Sequence, residues 1–189
     1  MLPKILKRPL NKRFLKKQIK PIKRPATNLK AAKWIGILFD ASSEKNIDII
    51  LNYKRKLERE GKKVNLLTYV NNRVKALEMD FPFFNKLSID WRAVPKGEAV
   101  EEFLTRNYDL LLTISATSNL VFEYISTLSD ARVKVGPVTK DYDSYDLMIE
   151  AQNGITLDRF IHYAEHYLSM IEIPSKVATG ATKQLALVE

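Results

Sequence analysis

The chain has 189 residues, a formal net charge of +9 and no cysteine. The lack of cysteine excludes disulfides, thiolate metal sites and cysteine nucleophiles, and two histidines are too few for a His-rich metal centre. The length suits one domain with appendages, not two full domains, and 46% hydrophobic residues suffice for a packed core.

The charge is unevenly placed. Twelve Lys or Arg fall within residues 1–39, and Asp40 is the first acidic residue. Behind them, nineteen basic residues meet all 22 acidic ones, so a mildly acidic domain follows a strongly basic arm. Such asymmetry points to a polyanion partner, either nucleic acid or an anionic membrane surface.

Residues 1–33 form the arm. Pro3, Pro9, Pro21 and Pro25 block a long helix. A short helix fits between Pro9 and Pro21, with Leu10, Phe14, Leu15 and Ile19 on one face. So short a segment is marginal alone in water and is expected to order on a partner. The expected partner is structured RNA. Lys4, Lys7, Arg8, Lys12, Arg13, Lys16, Lys17, Lys20, Lys23, Arg24, Lys30 and Lys33 would meet phosphates, and Phe14 would stack or fill a pocket. Two other readings compete: an idle solvated tail, and a membrane-surface helix using the same apolar residues. No apolar run is long enough for a signal-peptide core or a membrane span, and the absence of serine from residues 1–41 argues against a transit peptide. The expected location is the cytoplasm.

Residues 34–172 alternate between strand and helix signals. Trp34 to Ala41 is a β-rich apolar run, and Ser42 and Ser43 offer a cap for a helix that ends at Gly61. Val64 to Val70 is the next strand, completing a right-handed βαβ unit. Residues 72–86 show no strong period, and Leu87 to Trp91 reads as a short strand. A helix from about Glu98 to Arg106 leads into a buried strand, Tyr108 to Ser115. Ser118 is a candidate cap for the helix that follows. Ala131 to Val135 is a strand closed by Gly136 and Pro137, and Leu147 to Glu150 is a further strand. An amphipathic helix over 156–171 completes the domain, and residues 173–189 read as a flexible tail. Continuous apolar strands between helices predict a three-layer, Rossmann-like α/β domain whose sheet of five or six strands is mostly parallel.

Open parallel sheets bind ligands beyond the carboxyl ends of their strands. Two such ends, Asp40-Ala-Ser-Ser43 and Ser115-Ala-Thr-Ser118, suggest an anion pocket of Asp40, Ser42, Ser43, Thr117 and Ser118. Plain helix capping explains the same residues. None of the six glycines lies in either loop, and no GxGxxG or Walker pattern occurs, so no dinucleotide or other cofactor is expected. His162-Tyr-Ala-Glu-His166 has the HxxEH order of inverted zinc proteases, but both histidines fall opposite the apolar face of their helix, so no metal is expected there. Asp141 to Asp146 lacks the glycine turn of a calcium loop. Lys54, Arg55, Arg59, Lys62 and Lys63 belong to a second basic cluster, readable as a solvated helix end or as an extension of the arm's phosphate-binding surface.

Ile35 to Ala41, Tyr108 to Leu112 and Ala131 to Gly136 together resemble an uncharacterised Rossmann-like family of Bacteroidota. The resemblance implies a fold and carries over no catalytic residues. The lysine-rich arm is similar in style to extensions of ribosomal proteins. It implies a lineage-specific ribosomal protein with rRNA and neighbouring ribosomal proteins as partners. The combined expectation is a non-catalytic, RNA-binding structural protein. A small-molecule enzyme or sensor, and a peripheral membrane protein, stand as the alternatives.

Overall fold

Six strands form one sheet: β1 Trp34–Asp40, β2 Lys63–Val70, β3 Phe83–Asn85, β4 Leu110–Ile114, β5 Val133–Pro137 and β6 Leu147–Ile149. Among the described residues four α-helices accompany them: α1 Glu44–Arg59, α2 Glu98–Thr105, α3 Leu120–Leu128 and α4 Leu157–Ser169. The computed structural model describes residues 24–41, 43–71, 79–91, 94–139, 144–150 and 155–173. The strand order is β3-β2-β1-β4-β5-β6 and every neighbouring pair is parallel. This is the Rossmann order, whose direction of winding reverses between β1 and β4.

The physical basis is burial on both faces. Side chains alternate across each strand, so β1 sends Ile35, Ile37 and Phe39 to one core and Leu38 to the other. The first core is closed by Ile50 and Leu57 of α1 and by Phe160 and Leu168 of α4. The second is closed by Val100 and Phe103 of α2 and by Phe122 and Ile125 of α3. Strands β4 and β5 are buried along their whole length, and apart from Thr113 and Lys134 they are built of apolar residues, glycine and proline.

Three local features differ from those the sequence predicts. The strand expected at Leu87–Trp91 lies earlier, at Phe83–Asn85, where Phe84 and Asn85 pair with Tyr69 and Val70 of β2. Lys86–Ser88 is a 3-10 turn instead, and Ile89 makes only an isolated bridge to Pro95. A pairing this short leaves the apolar Phe81-Pro-Phe-Phe84 stretch without a readable period. Gly136 and Pro137 do not close β5 but belong to it. The β4–β5 register ends at Val135, so Pro137 leaves no partner there without a donor. Asn119, not Ser118, caps α3, its side-chain oxygen accepting from the Val121 N–H at 3.0 Å.

Residues 24–33, grouped with the arm by charge, pack on the domain. Thr27 and Ala32 are buried, and the Asn28 side chain donates to the carbonyl of Ile171 at 3.0 Å. The Arg24 guanidinium donates to the Ala131 carbonyl at 2.6 Å and to Asp146. The segment is thus a strap across the amino-terminal end of the sheet, from β5 and β6 at Arg24 to β1 at Lys33.

Candidate functional site

The strap carries the arm's root to the second basic cluster. Lys62 Nζ donates to the carbonyls of Lys30 and Ala32, at 2.9 and 2.8 Å, and the Lys63 N–H donates to the carbonyl of Lys33 at 2.8 Å. Lys63 Nζ lies 4.6 Å from the centroid of the Trp34 ring. Below them, Asp109 accepts from the N–H groups of Lys33 and Trp34, at 2.8 and 3.0 Å, and pairs with Arg132 at 3.1 Å. Burial opposes the charge on Asp109, but these donors and Arg132 together hold its carboxyl below the ordinary range. Two clusters well separated in sequence therefore meet in one rim.

The rim's members are not equivalent. Lys30 and Lys33 are exposed, as are Arg55 and Arg59 at the last turns of α1. Lys54 pairs with Glu58 at 3.2 Å, and Arg59 Nε donates to the Arg55 carbonyl at 3.2 Å. Arg24 is committed to Ala131 and Asp146, so its charge serves the strap first. Lys4, Lys7, Arg8, Lys12, Arg13, Phe14, Lys16, Lys17, Lys20 and Lys23 lie outside the described residues, as do the Pro9–Pro21 helix and the tail from residue 174.

At the opposite end, the winding reversal brings together the two loops singled out above, because Phe39 of β1 pairs with Ile114 of β4. Their polar groups serve their own loops. Ser43 caps α1 by accepting from the Asn46 N–H at 3.3 Å. Ser115 Oγ donates to the Thr117 carbonyl at 2.8 Å and accepts from the Thr117 N–H at 3.4 Å. Ser118 Oγ donates to Glu123 of α3. Asp40, half-buried at the end of β1, helps burial raise the phenol of Tyr69 beside it. Ser42 lies outside the described residues.

This end is also acidic. Glu44, Glu98, Glu101, Glu123 and Asp158 occupy the first turns of the four helices, where the helix dipole favours them. All four helices start at the carboxyl side of the sheet, so the protein's own carboxylates hold the positive helix ends that a phosphate would use. Lys56 and Arg59 end α1 on the other side. The dipole rule thus places carboxylates at all four helix starts, and in α1 it also favours Lys56 and Arg59 at the end; α2 and α3 carry no basic residue in their last turns.

Three buried polar residues escaped the sequence. Lys134 is 8% exposed in β5, its ammonium donating to the Thr127 carbonyl at 3.4 Å. Burial, helped by Arg24 and opposed by Asp146 and Asp130, lowers its pKa to about 8. The signal was a lone lysine inside Val133-Lys-Val135. Glu123 is 3% exposed in an otherwise apolar helix face. Tyr145 is buried beside Thr113 and Ser126, which bond each other at 3.0 Å; its hydroxyl has no hydrogen bond of good geometry to either, and burial pushes its phenol up. Phenols raised in this way stay protonated at neutral pH and offer no nucleophile.

The histidines of the HxxEH stretch both lie on the outer side of α4, and the glutamate between them, Glu165, pairs with Lys56 at 2.7 Å. Asp146, from the stretch that lacks the glycine turn of a calcium loop, accepts from Arg24 and the Lys134 N–H; residues 140–143 lie outside the described residues. Among the described residues, no group of three or more His, Asp or Glu is arranged to hold a metal ion. Nor is any helix among them long and apolar enough to cross a membrane.

A match to a protein family spans the domain and reaches into the arm. The chain belongs to the family of unknown function DUF6913. The family's profile matches residues 7–171, so the DUF6913 unit includes most of the basic arm, the strap and all six strands. No curated protein matches the sequence.

Proposed function

We propose that this DUF6913 chain is an RNA-binding structural protein that joins a ribosomal assembly through its basic arm, with the rim at the amino end of the sheet as a second contact. The observation that carries the reading is the segregation of charge. Residues 1–23 hold nine Lys or Arg and no acid. Arg24 fixes the root of that arm at the end of the sheet that carries Lys30, Lys33, Lys62 and Lys63. The acidic carboxyl end lies on the far side and would be repelled by the same polyanion. A ligand-binding enzyme or sensor is the weaker reading, because the loops at the winding reversal lack glycine and the hydroxyls of Ser43, Ser115 and Ser118 are engaged in cap, turn and Glu123 bonds.

Sedimentation of the full chain through a sucrose gradient tests this. At low salt the protein should travel with ribosomal particles, and a chain lacking residues 1–23 should not. If half of the nine arm cations meet phosphates, the slope of log K against log salt should be about −3 to −4. A full chain that stays at the top of the gradient at low salt sinks the reading.

A further inference from the structure

We infer that Trp34 is a stacking platform for an unpaired base, so that the RNA reached by the rim is single-stranded. This rests on the RNA-binding reading and names the kind of RNA. Trp34 starts β1 and stays 37% exposed although it belongs to the central strand of the sheet. Its backbone is fully engaged: the N–H donates to Asp109, and the carbonyl accepts from the Asp109 N–H at 2.8 Å. The indole is therefore held on a rigid element, not on a loop.

Its surroundings fit a nucleotide. Lys63, its register partner on β2, places an ammonium over the ring at 4.6 Å from the centroid. A base on the opposite ring face would complete a sandwich, with exposed Lys33 one residue away for a flanking phosphate. Base–aromatic stacking is tolerant of sequence because every base has a π-face. The ring's other neighbours on that face of the sheet do not suit a lipid or an apolar protein partner. Gly36, which follows it on β1, is covered by the buried rings of Phe103 and Tyr108, and half-buried Asn65 follows Lys63 on β2, so neither adds exposed apolar surface beside the indole. A membrane-inserting tryptophan would need apolar companions there.

The chain has two tryptophans, Trp34 and Trp91, so Trp91→Phe leaves Trp34 as the sole indole reporter. The full chain carrying that substitution is titrated with single-stranded oligouridylate, with a duplex RNA of equal charge, and with vesicles containing phosphatidylglycerol. Filter binding is read in parallel with fluorescence. Single strands should quench Trp34 and duplex should not. Trp34→Ala should weaken single-strand binding about tenfold and leave duplex binding unchanged, and Trp34→Phe, which keeps a ring, should restore part of the loss. Single-strand binding without quenching, together with an unchanged affinity in both Trp34→Phe and Trp34→Ala, overturns the stacking role and leaves RNA binding standing. No binding to either RNA overturns both. A blue-shifted Trp34 with vesicles but no response to RNA also overturns both, in favour of a membrane.

Discussion

Gly136 is a glycine because of Tyr145. A Cβ built on Gly136 would come within 3.0 Å of Cε1, Cζ and Cδ1 of the Tyr145 ring, far inside van der Waals contact. The ring is 5% exposed and cannot yield outward without leaving the core. Two limits bracket Gly136→Ala. If the ring stays, overpacking costs about 1–3 kcal/mol. If it is expelled, the loss resembles removal of a buried aromatic, about 3–5 kcal/mol. An intermediate loss of about 3 kcal/mol is expected, a large share of the roughly 5–15 kcal/mol that holds a domain together. With a urea slope of about 2 kcal/mol/M, the midpoint should fall by about 1.5 M. The control is Tyr145→Leu, which removes the ring. In a double-mutant cycle, Gly136→Ala should cost at least about 1 kcal/mol less when Tyr145→Leu is already present. A Gly136→Ala midpoint within experimental error of the parent, or strict additivity with Tyr145→Leu, would refute the close-approach argument. Tyr145→Phe separates the hydroxyl from the ring: it should change stability by less than about 1 kcal/mol, since that hydroxyl forms no well-aligned bond.

Stability should depend on pH through Lys134. The unfolded chain keeps this lysine charged up to about 10.5, whereas in the fold it loses its proton from about 8. Between those values the unfolded state binds more protons, so stability should rise with pH, and Lys134→Met should flatten that rise in urea titrations between about pH 7 and 9.5. Above the ordinary tyrosine value of 10.0 the sign reverses. Folding raises the phenols of Tyr53, Tyr108 and Tyr145, so the folded state then binds more protons and stability should fall. Asp146→Ala removes the acceptor of both Arg24 and the Lys134 N–H; a loss of about 1–2 kcal/mol is expected, with hydrogen exchange faster across residues 27–33. Unchanged exchange there would show that the strap does not depend on Arg24. Asn119→Ala should cost about 1 kcal/mol by uncapping α3, while Ser118→Ala should act through the lost donor to buried Glu123 and leave the cap in place.

Local pattern was enough to show most elements. The apolar run at Ile35–Phe39, the capped start of α1 at Ser43 and the positive-φ Gly61 after it each depend on neighbours a few residues away. The weak points were β3 and α3's cap. Three paired residues in Phe83–Asn85 are too few to establish a period, and a turn rich in Ser and Thr offers several caps of similar chemistry. At the carboxyl end, the capping explanation of Ser43 was already legible, because a hydroxyl just before a helix has a local donor to accept from.

Segment patterns alone therefore establish the class of fold and the split between a basic arm and a mildly acidic domain. Alternating buried strands and helices impose a parallel sheet. Long-range packing settles which strands adjoin, and with that which loops meet between β1 and β4. It also decided that charged residues 24–33 are a strap, that Lys134 is buried, and that Lys63 lies over Trp34. Strand order and register are set by contacts between residues far apart in the chain, and no periodicity within a segment encodes which distant partner will satisfy it.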